Sequence, residues 1–197
     1  MRYLCSGTAV SCRWIGGIRS SGTAVLPHKN IHARTQEVSL ETEFGKVREY
    51  VDLISFNYKD RIQVQYGIDS GILPSLTLRL IIQPVLENSY VHGLSKEFGK
   101  LTIEILGYRL DENVLIKIYD DGAGIPPEKL KKLQEQLASN HPSDSIGLNN
   151  VNRRIKLFYG QQYGLQVDSR PSQGTLVTIT LPYHEKAWEQ KEAKECV

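Results

Sequence analysis

Hydrophobic residues recur along this chain with two alternating periods. From Ser39 onward Leu40, Phe44, Val47, Tyr50, Val51 and Ile54 keep helical spacing, with Ser39 placed as a cap and Glu41 and Glu43 in the first turn. Ile62, Val64 and Tyr66 then alternate, predicting a strand that ends at Gly67, and Asp69-Ser70-Gly71 reads as a turn. Leu76 to His92 predicts a second helix, apolar nearly all round in its first half and therefore buried, with Pro84 tolerable only near a first turn. Leu101–Leu110 and the run beginning at Val114 predict two strands joined through Asp111-Glu112-Asn113. A helix is expected at Pro127–Ala138 and another after Gly147, carrying Val151, Ile155, Leu157 and Phe158 and closed by Gly160. Two strands, Gly164–Arg170 and Gly174–Leu181, follow.

Strands joined by short turns must pair antiparallel, and amphipathic helices must cover one face of the sheet they form. The expected fold is therefore α+β, a two-layer α/β sandwich with a mostly antiparallel sheet. Residues 37–184 carry the whole pattern. Residues 1–36 sustain neither period; Ser-Gly-Thr-Ala-Val occurs at Ser6 and again at Ser21, too short an echo to be a structural repeat. This leader reads as linker or remnant, and the charged residues 185–197 as a tail.

Composition narrows the possibilities by exclusion. Lys and Arg number 24 against 22 Asp and Glu, so overall charge selects no partner. The leader holds Arg2, Arg13, Arg19, Lys29 and Arg34 and no acid, a dispersed set that favours a solvated tail over an arm for lipid or nucleic acid. No nucleic-acid partner is expected. Cys5, Cys12 and Cys196 lie near the chain ends in no metal-ligand spacing, which disfavours a zinc site or disulfide framework. His28 and His32 are four apart, but Pro27 makes the helix that would align them doubtful. The longest apolar stretch, Leu76–Leu86, is broken by Arg79, Gln83 and Pro84, so no membrane segment is expected, and no signal peptide is legible.

Candidate chemistry gathers in four stretches. Val114, Ile116 and Ile118 alternate with Leu115, Lys117 and Tyr119 up to Asp120-Asp-Gly122-Ala-Gly124, a strand that delivers carboxylates to a glycine turn before Pro126 and Pro127 open a helix. A ligand site and a plain turn both satisfy these residues. The second helix ends Glu87-Asn88-Ser-Tyr-Val-His92-Gly93; Asn88 and His92 share a face, and an amide oxygen suits Mg²⁺, although a helix end capped and solvated at Asn88 is the favoured reading of this stretch in isolation. Gly147-Leu148 starts a helix whose free N–H groups attract phosphate, and a polar loop, Ser139–Ser145, precedes it. Gly174-Thr175 opens the last strand. No G-x-x-x-x-G-K-[ST] is present, and prolines after Gly124 argue against a dinucleotide fingerprint.

Taken together, Asn88…His92, Asp120-x-Gly122-x-Gly124, Gly147-Leu148 and Gly174-Thr175 follow the box order of the GHKL (Bergerat) ATP-binding fold. Ile81–Gly93 and Ser145–Gly160 resemble, more narrowly, the catalytic domain of sensor histidine kinases of the YesM/LytS type, over residues 38–183. That resemblance implies ATP and Mg²⁺ as cofactors and transfer of the γ-phosphoryl to a histidine outside this chain. It implies Asp120 as acceptor for the adenine amine, Gly122 and Gly124 as close-approach positions for the purine, and Asn88 as metal ligand. His92 would lie near the phosphates, Gly147 and Leu148 at the hinge of an ATP lid formed by Ser139–Ser145, and Gly174 and Thr175 beside the adenine. Glu87 could orient the acceptor imidazole, or merely form an ion pair at the helix end.

Partners implied are a phosphoacceptor and dimerisation helix and a response regulator, at a cytoplasmic location, although full-length relatives are membrane-anchored. The chain also departs from the family. Ser89 and Val91 stand where many relatives have Ala and Lys, which leaves His92, Arg153 or Arg154 to supply a phosphate-contacting cation. Pro84 occupies the place of the glutamate that activates water in other GHKL ATPases, against self-contained ATP hydrolysis. None of the histidines is followed by the Phe and Asn of an acceptor motif. A catalytically inert nucleotide-binding regulatory module and a serine kinase of the anti-sigma type are the competing expectations.

Overall fold

The computed structural model describes residues 37–58, 61–93, 99–139 and 147–186. The leader, most of the Ser139–Ser145 lid and all but the start of the tail expected above lie outside the described residues. In chain order the elements are β1 (Glu37–Ser39), α1 (Leu40–Asn57), β2 (Ile62–Ile68), a single 3₁₀ turn (Ser70–Ile72), β3 (Leu76–Leu78), α2 (Gln83–Gly93), β4 (Leu101–Leu110), β5 (Asn113–Asp120), α3 (Pro127–Ala138), α4 (Leu148–Tyr159), β6 (Gly164–Ser169) and β7 (Thr175–Pro182). Five strands form one sheet in the order β2-β4-β5-β7-β6, antiparallel except for β2 against β4. Those two strands are separated by α2, and a helical crossover is what a parallel pair requires.

The sheet buries one face. Ile105, Ile118, Val177 and Val167 form one cross-strand row, each at most 1% exposed, and Ile116 and Ile179 form the next. α1 packs on β2, α2 on β4, β5 and β7, and α3 and α4 on β6. The alternate residues, such as Leu115, Lys117 and Tyr119, stay half-exposed or exposed on the other face. The α+β two-layer expectation therefore holds.

The reading of the first helix also holds. Ser39 Oγ accepts the Thr42 N–H at 3.2 Å, and Leu40, Phe44, Val47, Val51 and Ile54 are buried. The second helix is shorter than its apolar run predicts. Leu76–Leu78 instead pairs antiparallel with β1, and α2 starts at Gln83, which puts Pro84 in the first turn where its missing N–H costs nothing. The run reads as one helix because Leu78, Ile81, Ile82, Val85 and Leu86 are all buried, and near-continuous apolar burial erases the period that separates strand from helix. In α4 the buried face is Leu148, Val151, Asn152, Ile155 and Tyr159; Leu157, expected inside, falls on the opposite side and is 67% exposed.

Two polar clusters close the fold. Asn152, 3% exposed, donates to the Leu137 carbonyl at 2.8 Å and accepts the Leu165 N–H at 2.9 Å, joining α3, α4 and β6. Glu37 accepts from the Tyr159 hydroxyl at 3.0 Å and meets His184 Nε2 at 2.9 Å, so the segments before α1 and after β7 are fastened together at the end of α4.

Asn152→Ala leaves the Leu165 N–H without its acceptor while Lys156 Nζ still serves the Leu137 carbonyl. Urea unfolding should show a loss of about 2 kcal/mol. A loss below about 0.5 kcal/mol would mean that this amide does not tie the layers together.

Candidate nucleotide site

Asp120 continues the inward phase of β5. Val114, Ile116 and Ile118 face the helices, and two residues on a carboxylate takes the position an aliphatic side chain would fill, 3% exposed. In register it lies in the row Ile103, Asp120, Thr175, Ser169, at the end where β5 turns away. Its Oδ1 accepts the Gly122 N–H at 3.2 Å. Burial pushes the Asp120 carboxyl up to about 6, against the pull of the Gly122 N–H, the Ser89 hydroxyl and the Thr175 N–H; neighbouring Asp121 adds to the rise.

Asp121 falls on the opposite phase and does something else. Its Oδ1 accepts the Thr102 N–H at 2.7 Å while its own N–H reaches the Thr102 carbonyl, extending the β4–β5 ladder past Asp120. One carboxylate is thus turned inward and the next is used as structural cement.

The glycine turn is packed tightly against its neighbours. A Cβ on Gly122 would collide with the backbone of Gly93, the last residue of α2. Gly174 adopts φ +87°, a conformation L side chains disfavour, and a Cβ there would strike the Asp120 carbonyl. Between them Gly124 is held by its surroundings: the Ile125 N–H donates to Ser169 Oγ at 2.8 Å, and the Ser172 N–H donates to the Ala123 carbonyl at 2.8 Å. Ser169 Oγ also donates to the Gly174 carbonyl at 2.7 Å and lies 3.0 Å from Thr175 Oγ1. Neither Ser89 nor Ser169 stands out as a site residue from local pattern. Ser169 was discoverable from the β6–β7 register, which sets it opposite Thr175.

α2 brings its last two turns to this corner. Ser89 is buried beside Asp120, Asn88 is half-buried, and His92 is exposed near the helix end. Among the described residues, neither Asn88 nor His92 has a side-chain hydrogen-bond partner. Glu87 accepts from the Gln83 amide at 2.9 Å and lies near the Tyr50 hydroxyl, which in turn donates to Tyr90 at 2.9 Å. Its hydrogen-bond partner is thus a neutral amide rather than the cation that an ion pair would need. Gly147 caps α4 without a side-chain hydrogen bond, and a Cβ there would meet open space, whereas Leu148 is buried. Arg154 is committed elsewhere: it donates to the carbonyls of Arg79 and Leu80, at 2.6 and 3.2 Å.

Chemically, the corner offers a buried hydrogen-bond acceptor beside the glycine turn, with polar side chains on the adjoining end of α2. Residues 74–185 match the profile of the family described as histidine kinase-, DNA gyrase B-, and HSP90-like ATPase. The sensor protein LytS of Staphylococcus saprophyticus is 32% identical over 83% of this chain and 28% of its own length. The sensor histidine kinase YesM of Bacillus subtilis is 27% identical over 80% of this chain and 26% of its own. The chain thus spans about a quarter of each of these curated relatives. Among solved structures, the catalytic domain of histidine kinase ThkA superposes with a TM-score of 0.52 at 17% identity, over 75% of this chain and 94% of that one, which shows a shared fold. No helix among the described residues is long and apolar enough to cross a membrane. The YesM/LytS-type resemblance is borne out, and the chain belongs to the histidine kinase-, DNA gyrase B- and HSP90-like ATPase family.

Proposed function

We propose that residues 37–184 form the ATP-binding catalytic domain of a two-component sensor histidine kinase, and that the domain transfers the γ-phosphoryl of ATP to a histidine outside it. The observation that carries this reading is Asp120: a carboxylate placed at an aliphatic position, at the end of its strand and beside α2. Such a group is a hydrogen-bond acceptor shielded from water, as recognition of an adenine amine requires. Gly122, Gly124, Gly174 and Thr175 hold the adenine end. Gly147 and Leu148 present the start of α4 to the phosphates, and His92, near the end of α2, contacts them.

The residues also fit Mg²⁺ that arrives with its nucleotide. Among the described residues no three His, Cys, Asp or Glu gather as a metal cage, whereas Asn88 offers a half-buried amide oxygen without a protein partner. One protein oxygen plus phosphates and water is a coordination pattern Mg²⁺ accepts, and bound there the ion would neutralise phosphate charge. In the transfer, the bond from the γ-phosphorus to the bridging oxygen breaks as a bond to an imidazole nitrogen forms, and ADP leaves. Glu87, next to Asn88, orients the acceptor imidazole. The acceptor belongs to a phosphoacceptor and dimerisation helix, and a response regulator receives the phosphoryl group from it.

Supplying such an acceptor helix in trans with labelled ATP should yield an acid-labile phosphoprotein. An acid-stable product, or none while ATP binds, would sink the histidine kinase reading. Glu87→Gln should keep nucleotide affinity and slow transfer by about 10²-fold, checked by comparing titration calorimetry with the transfer rate.

Asp120→Asn should abolish measurable ATP binding in the same calorimetry. The pH response has a definite sign. A carboxyl raised on folding adds stability below its ordinary value of 3.8 and loses that contribution as pH rises through about 6. Between pH 7.5 and pH 5 the wild-type domain should therefore gain about 1 kcal/mol relative to Asp120→Asn in chemical unfolding. Parallel curves for the two proteins would show that Asp120 is not a strained, buried acid.

A further inference from the structure

The segment just before α2 is held in an unusual way. Leu80 has φ +56°, a left-handed conformation that an aliphatic residue rarely takes, and its side chain is 48% exposed, so apolar burial does not compensate. What holds it is a pair of opposite charges from two other helices. Glu43 of α1, 2% exposed, accepts the Leu80 N–H at 2.9 Å and the Ile81 N–H at 3.3 Å, one on each carboxylate oxygen. Arg154 of α4 donates to the Arg79 carbonyl at 2.6 Å and the Leu80 carbonyl at 3.2 Å. The two peptide groups flanking Leu80 are therefore each spanned from N–H to C=O by a carboxylate on one side and a guanidinium on the other. Successive N–H groups converge on one anion when a residue between them turns left-handed, so the conformation and the carboxylate explain each other.

α2 begins directly afterwards. The Ile82 carbonyl accepts the N–H groups of Val85 and Leu86, both at 3.1 Å, which makes it the first fixed point of the helix. Arg154 lies two turns along α4 from Gly147. The brace thus connects the start of the helix that carries Asn88 with the helix whose first turn faces the phosphates.

We propose that Glu43 and Arg154 are positioning residues that hold the peptides around Leu80, fix where α2 begins, and so set Asn88 relative to Gly147 for a metal-bound triphosphate. This rests on the ATP-site reading above, with Arg154 acting through the backbone and not as a phosphate contact. Most of the adenine corner, Asp120, Gly174 and Ser169, is held by β5, β6 and β7, and α2 adds only Ser89 and Gly93 at its far end, so adenosine depends on the brace less than Mg²⁺–ATP does.

The test compares dissociation constants for Mg²⁺–ATP and for adenosine, by calorimetry, in wild type, Arg154→Met, and Arg154→Met combined with Leu80→Asn. Asn adopts the left-handed conformation more readily than Leu and needs less external hold. Arg154→Met should weaken Mg²⁺–ATP by about tenfold and leave adenosine within about twofold, and adding Leu80→Asn should restore most of the loss. Arg154→Lys, which keeps the charge but loses the two-carbonyl fork, should behave like a milder Arg154→Met with the same rescue, and serves where the methionine variant does not fold. No loss of Mg²⁺–ATP affinity, a parallel loss of adenosine, or a loss that Leu80→Asn fails to rescue would each overturn the brace; the last would reveal direct phosphate contact. A wild-type domain that binds neither ligand would overturn the ATP-site reading itself, and the brace with it.

Discussion

The inward phase of β5 constrains everything around it. Once Val114, Ile116 and Ile118 face the helices, the period of two leaves Asp120 no choice of side, and a carboxylate enters the buried layer. The fold answers with donors: the Gly122 and Thr175 N–H groups and the Ser89 hydroxyl. Each draws a different segment to the same point, so the strand end, the glycine turn, α2 and β7 converge because one buried charge requires solvation by protein. The close packing of Gly122 on Gly93 and of Gly174 on Asp120 follows from that convergence.

Much of this was legible in the residue pattern. The β4–β5 hairpin, α1 with its Ser39 cap, α3, and the β6–β7 pair each have a clear period and punctuating turn residues, and the structure places them within a residue or two of expectation. The family boxes were legible as well, because their order is carried by residues whose types are chemically unusual for where they stand. Illegible were the features that depend on distant segments. Leu76–Leu78 is a strand only because Glu37–Ser39 lies beside it, and the same apolar residues would read as helix in isolation. The work of Asp121 depends on Thr102, nineteen positions away, and adjacent acids look alike until a ladder assigns them opposite faces.

Arg154 shows the same limit from the other direction. A basic residue on a helix whose start is proposed to face phosphate reads naturally as a phosphate ligand, and only its hydrogen bonds to Arg79 and Leu80 show that it serves backbone carbonyls. Glu43 likewise fits the pattern of an ordinary first-turn acid on α1, yet it is buried and caps the approach to another helix. Charges inside this domain act mainly on peptide groups, which cannot be recognised from sequence because every residue offers the same ones.

The contact among Glu37, Tyr159 and His184 has a mechanical consequence. Glu37 precedes α1 and His184 follows β7, so the points where the polypeptide reaches and leaves this fold are neighbours, joined through a side chain at the far end of α4. Tension applied across those two points would fall first on the Glu37–Tyr159–His184 contact and on the neighbouring β1–β3 pair, at a distance in sequence from the glycine turn after β5. A domain built this way behaves as a pendant on its polypeptide rather than as a link in series with it.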